Sequence, residues 1–162
     1  MNTLKANVMN RIGIKKEAAV KLAVELNELL ANYQIFYMNV RGFHWNIKGD
    51  KFFELHVKFE ELYDDLVIKI DEIAERILTL EEVPAHSYKQ YLKLSKVEPA
   101  EFVSEGNICV ELTLNSLTEI IRKQREIMKE AAAADDEGTA SIMSDYIREQ
   151  EKLTWMYSAY IN

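Results

Sequence analysis

Glycine and proline are so sparse in this chain that their positions nearly dictate its fold. Five glycines and two prolines leave the stretches 14–41, 50–83, 107–137 and 139–162 free of both. Each is long enough for a bundle helix and rich in Ala, Leu, Glu and Lys, which lose little freedom on entering a helix. In the first, Leu22, Leu26, Leu29, Tyr33, Phe36 and Val40 recur at alternating steps of four and three. That is the apolar seam of a helix packed in a bundle. The second repeats it with Leu55, Phe59, Leu62, Leu66, Ile70, Ile73, Ile77 and Leu80.

Lys48-Gly49-Asp50 reads as a tight turn, making the first two helices an antiparallel hairpin. The stretch from Val83 to Ser104 holds both prolines and a short apolar pattern, Tyr88, Tyr91, Leu92 and Leu94. It is expected to be a long crossover carrying one short helix, as a bundle requires when its second and third helices run parallel. Ser104 or Asn107 is expected to cap the third helix, and Asp135-Asp136-Glu137-Gly138 to separate it from the fourth. Neither a strand alternation nor an internal repeat interrupts this pattern. The expected fold is all-α: a four-helix bundle with a short helix in the crossover between the second and third helices. Residues 1–16 are expected to form an N-terminal arm, flexible in part, and 17–162 the bundle domain.

With 162 residues, 48% hydrophobic and 29% charged, the chain suits one globular domain with a sizeable core. A net charge of −7 argues against nucleic acid as the main target. The exception is local, because from Met1 to Lys16 the charged side chains are Lys5, Arg11, Lys15 and Lys16, all positive. Cys109 is the one cysteine, set between Ile108 and Val110, and reads as a small core residue rather than a nucleophile. No apolar run reaches the ~18 residues of a membrane span, and no secretory h-region is evident, so the cytoplasm is the expected compartment.

Two histidines and two carboxylates carry the chemistry: His44 and His56 in RGFHWNIKGDKFFELHVKFEE, then Asp71 and Glu75 in KIDEIAERI. The hairpin turn lies about midway between the histidines, which places them at similar heights on adjacent helices. On the second helix His56, Glu60, Asp71 and Glu75 fall within an arc of roughly 100°, beside the apolar seam. His56 and Asp71 are nevertheless about 22 Å apart along that helix at ~1.5 Å per residue. Ligand bonds are only about 2.0–2.2 Å long, so one chain cannot bring all four to one metal ion. A two-fold axis near Asp65 would lay the helix against its copy, so that the His56/Glu60 end of one chain meets the Asp71/Glu75 end of the other. Mixed imidazole and carboxylate ligands suit iron, and also zinc or manganese. Without a metal, Asp71 and Glu75 would instead form a solvated face paired with Lys69 and Arg76. A di-iron site inside the bundle would need Glu-x-x-His on two helices. Arg41, Phe53 and Val83 stand three residues before the histidines, so that site is not expected. His86, after Pro84, is expected to be an exposed loop residue.

The order FHWNIKG, FFELHVKFEELYDD, DEIAERI and a late EKLTWM closely resembles Dps, the DNA-binding protein from starved cells, a mini-ferritin. The likeness runs from about Ala18 to Ile161. It implies a ferritin-like bundle assembled into a hollow homododecamer, with ferroxidase sites at the dimer interfaces. His44 and His56 match the iron ligands of one subunit, and Asp71 and Glu75 those of its partner. Glu60 stands where the family usually has Asp, as a further ligand or bridge, and Trp45 matches the tryptophan beside the site. The implied reaction oxidises Fe(II) to Fe(III), typically with hydrogen peroxide in preference to dioxygen, and the ferric product is stored as mineral.

The chain also departs from that pattern. Many relatives have Gly-Gly where Glu81-Glu82 stands, which is expected to alter only the start of the crossover. The acidic run Asp135, Asp136, Glu137 matches the approach to the family's threefold iron pores, with Ser141 in place of another Asp and Asp145 one turn on. DNA-binding members usually carry a Lys-rich tail, whereas four scattered basic residues stand here, so DNA binding is expected to be weak. Two classes of function follow: an iron-oxidising storage enzyme, or a nucleoid-compacting structural protein whose iron site is secondary.

Overall fold

In the computed structural model, which describes residues 8–162, the four uninterrupted stretches are helices. Helix α1 (Lys16–Asn46) turns into α2 (Phe52–Thr79), and α4 (Gly106–Ala133) into α5 (Glu137–Ile161), giving two antiparallel hairpins. Between them the crossover carries α3 (Tyr88–Leu94), packed on α1. The four-helix bundle with a short crossover helix is therefore as the sequence pattern demands. Leu22, Leu26, Leu29, Tyr33, Phe36 and Val40 of α1 are all buried, as are the α2 seam residues apart from the half-buried Ile70. Among the described residues no helix is long and apolar enough to cross a membrane.

The crossover lies along α1 because three asparagines satisfy its backbone, whose polar groups would otherwise be stranded against the bundle. Asn27 accepts from Ala85 N at 2.6 Å, Asn32 from Lys96 N at 2.7 Å and Asn39 from Ala100 N at 2.9 Å. In the hairpin turn, Phe52 N donates to Gly49 O at 3.2 Å, with Gly49 at φ +102°.

Helix ends differ from expectation at α4. Neither Ser104 nor Asn107 caps it: the Glu105 carboxylate accepts from Asn107 N at 3.1 Å and Ile108 N at 2.8 Å. Those two backbone donors hold the Glu105 carboxyl below the ordinary carboxylate range. A carboxylate there also faces the positive end of the helix dipole, which a hydroxyl does not exploit. Asp136 caps α5 by accepting from Thr139 N at 3.0 Å.

Two helices end in a Schellman arrangement with an acidic residue where glycine is usual. Asp135 has φ +56° beyond α4, and Glu81 has φ +67° beyond α2. The Glu81 departure reaches further than the crossover, because its carboxylate accepts from Arg11 N at 2.8 Å. The lower arm is thereby docked. Asn10 and Ile14 are buried, and Asn10 Oδ1 closes the loop by accepting from Ile14 N at 2.9 Å. The rest of the arm, Met1–Asn7, lies outside the described residues.

The bundle interior contains a closed ring of hydrogen bonds. Tyr33 Oη donates to Gln124 Oε1 at 2.6 Å, Gln124 Nε2 to Gln150 Oε1 at 2.7 Å, and Gln150 Nε2 to Tyr33 Oη at 2.7 Å. Three neutral side chains satisfy one another where an intrachain di-iron site would need carboxylates. Cys109 is fully buried and its thiol is pushed up to about 11, so it is a packed core atom and not a nucleophile. His86 is exposed in its loop.

Candidate metal centre

His44 stands in the last turn of α1 and His56 in the first turns of α2, so the hairpin brings them together. Their rings stack with centroids 3.8 Å apart and planes at 15°. Each imidazole is tied to the other's backbone: His44 Nδ1 to His56 O at 2.6 Å, and His56 Nδ1 to His44 O at 2.7 Å. The His44 carbonyl is free for this because Lys48 N, its regular helical partner, donates to Ser104 O instead at 3.0 Å. A carbonyl oxygen only accepts, so each Nδ1 carries a proton, and in the neutral ring the remaining lone pair is on Nε2. That is the tautomer a metal-binding histidine takes when a backbone carbonyl fixes its other nitrogen.

The pair sits inside a column of rings. Phe52 stacks on His56 at 4.9 Å, and Tyr63 meets His44 edge-on at 5.4 Å. Beyond Tyr63 lies Tyr37 at 6.1 Å, and the Arg41 guanidinium covers Trp45 at 4.6 Å and Tyr37 at 5.4 Å. Burial, then the Glu60 and Asp64 carboxylates, push the Tyr63 hydroxyl up. None of these neighbours except Trp45 stood out in the sequence. The spacing of Phe52, His56, Phe59 and Tyr63, in steps of four, three and four on one helix face, carries them in retrospect.

Asp71 and Glu75 lie further along the same unbroken helix, exposed, as is Glu60. The ion-paired face that the sequence also allowed does not form. Lys69 turns to Asp65 at 2.6 Å and Glu149 at 2.9 Å, and Arg76 to Asp136 at 2.5 Å. Among the described residues Glu60, Asp71 and Glu75 have no cationic partner. Nor do any three His, Cys, Asp or Glu side chains among the described residues converge to hold a metal ion. The chain therefore brings His44 and His56 together and keeps Asp71 and Glu75 apart from them. Along the same stretch of α2, Phe53, Val57, Val67, Ile68 and Leu78 leave apolar surface exposed.

The ferritin-like domain family matches residues 24–162, nearly the whole bundle. A DNA protection during starvation protein of Porphyromonas gingivalis is 41% identical over 94% of this chain and 96% of its own length. This chain belongs to the Dps family. An uncharacterised Haemophilus influenzae protein is 57% identical over 91% of this chain and 92% of its own. The crystal structure of the Dps protein of Vibrio cholerae superposes with a TM-score of 0.94 at 48% identity, covering 100% of both chains. That protein is described as one of the ferritin-like diiron-carboxylate proteins.

Proposed function

We propose that this Dps-family chain is a ferroxidase and iron-storing mini-ferritin whose metal centres form between two copies. His44 and His56 of one copy would meet Asp71 and Glu75 of the other, with Glu60 beside its own chain's histidines. The observation that carries this reading is the pre-set imidazole pair. Both Nδ1 atoms are engaged by backbone carbonyls, which leaves Nε2 of each neutral ring as the ligand atom. The carboxylates able to complete the site stand further along the same helix, with no cationic partner among the described residues. An axis crossing α2 between Asp65 and Leu66 exchanges position 56 with 75 and 60 with 71. The exposed apolar residues on that face are what a partner helix would cover.

Ring geometry constrains how iron, the substrate, is taken. Imidazole binds along an in-plane lone pair at about 2.0–2.1 Å. Two rings stacked 3.8 Å apart at 15° share no in-plane point so close to both nitrogens. One ion therefore cannot use both histidines, and each serves its own. Carboxylates and imidazoles together give hard and borderline donors that favour the ferric product.

Two adjacent Fe(II) ions match a two-electron oxidant. Each iron gives one electron, the O–O bond of hydrogen peroxide breaks, two protons are consumed, and two waters form with no hydroxyl radical released. Hydrogen peroxide is thus the proposed oxidant ahead of dioxygen, and a cavity in a homododecamer stores the ferric mineral. Exposed Arg11, Lys15 and Lys16 support the second reading, DNA compaction, as a weaker and salt-sensitive activity.

Stopped-flow Fe(II) oxidation with peroxide and with dioxygen, alongside sizing of the particle, tests the proposal. Faster oxidation by peroxide in a twelve-subunit particle is expected, abolished in both His44→Ala and Asp71→Ala. Wild-type rates in those two variants would refute it.

A further inference from the structure

We infer that Phe52 and Tyr63 are positioning residues for the metal centre, clamping the two ligand imidazoles from opposite ends of one column of rings, Phe52 stacked on His56 and Tyr63 edge-on to His44. This rests on the proposed ferroxidase site and names what prepares it. Phe52, His56 and Tyr63 share one face of α2, and His44 from α1 slots between His56 and Tyr63. The order along the column is Phe52, His56, His44, Tyr63, with centroid steps of 4.9, 3.8 and 5.4 Å.

Both end rings are half-buried, and each covers the imidazole face or edge that its stacked partner leaves open. A histidine can turn about its Cβ–Cγ bond, which would swap the ring atoms that meet the carbonyl. Rotation inside this stack requires the neighbouring ring to move, so the end rings hold the Nδ1-to-carbonyl bonds in register. The Nε2 positions are then set before a metal arrives, and binding need not order them. Packing alone does not require an aromatic ring at both ends: a branched aliphatic side chain would fill the same space without the ring face that Phe52 stacks on His56 or the ring that Tyr63 sets edge-on to His44.

The test uses assembled particles and Co(II), a spectroscopic probe that needs no turnover. Phe52→Leu and Tyr63→Leu should each weaken Co(II) binding about tenfold, the scale of loss when an outer-shell partner of a metal ligand is removed. Phe52→Tyr and Tyr63→Phe should restore binding to within about twofold of wild type. In nitrogen-edited NMR of the metal-free protein, the hydrogen-bonded Nδ1–H signals should broaden or vanish in the leucine variants and persist in the aromatic ones. Unchanged Co(II) affinity and Nδ1–H signals in both leucine variants would overturn the clamp, as would failure of the aromatic variants to restore them. Failure of the underlying site looks different: wild-type particles would bind Co(II) no better than His44→Ala or His56→Ala particles.

Discussion

Asp136→Ala should damage the particle twice, through one buried contact. Asp136 is 1% exposed and accepts from Thr139 N at 3.0 Å while pairing with Arg76 at 2.5 Å. Loss of the α5 cap costs about 1 kcal/mol. Taking Asp136 from the largely buried Arg76 adds about 3 kcal/mol, the low end for a broken buried pair, because the exposed carboxylates nearby replace only part of the lost interaction. The sum is about 4 kcal/mol, or a Tm lowered by ~8–16 °C for a domain of this size. Gly138 makes room for the guanidinium, since a Cβ there would sit 2.8 Å from Arg76 Nη1. Once released, Arg76 has the carboxylates of Glu72, Glu75 and Asp145 around the same cleft. It should therefore neutralise Glu75 and weaken Co(II) binding along with stability. The double variant Arg76→Leu/Asp136→Ala removes the stranded charge and should recover all but the cap's ~2–4 °C. Thermal unfolding of metal-free particles at fixed protein concentration, with a Co(II) titration of each, reads both effects. A single variant within about 2 °C of wild type, or a double variant no better than the single, would refute the reasoning.

Three further outcomes follow from other parts of the molecule. Changing Glu81 to Gly removes both the strained φ and the carboxylate on Arg11 N, so amide exchange at Arg11 and Ile12 should accelerate while Fe(II) oxidation holds; slow exchange in the variant would contradict the docking. DNA retardation should vanish as salt rises and should be lost when Lys5, Arg11, Lys15 and Lys16 become Gln, since each phosphate contact contributes roughly 0.9 to the salt slope; tight binding by that variant would place DNA on another surface. Glu137→Gln with Asp145→Asn should slow mineral loading at low salt without changing particle size, because a negative channel concentrates Fe(II) and salt screens it; unchanged loading would remove both from the entry route.

The long helices were legible because seam periodicity and the scarcity of glycine and proline are properties of single segments. Helix ends were not, since Ser104 and Asn107 are the usual cap types and Glu105 takes that place only through the backbone direction into α4. Glu81 shows a similar limit: a left-handed conformation at a non-glycine residue depends on what rewards it, here Arg11 of the distant arm. At the candidate site the residue types and spacing of His44, His56, Asp71 and Glu75 already argued for ligands divided between copies. The reciprocal imidazole-to-carbonyl bonds were out of reach, because they depend on the register of α1 against α2 and on Lys48 N turning away to Ser104. The same is true of Lys69 and Arg76, whose choice of Asp65, Glu149 and Asp136 leaves Asp71 and Glu75 without a cationic partner among the described residues.

The division of each site between two copies is tested most directly by mixing His44→Ala and Asp71→Ala chains in one particle. A dimer holding one of each has one site with both lesions and one with neither. In a random equal mixture half the dimers are mixed, so peroxide-driven Fe(II) oxidation should return to about one quarter of wild type from two parents that are each inactive. No recovery in particles shown by mass spectrometry to contain both chains would contradict the shared site.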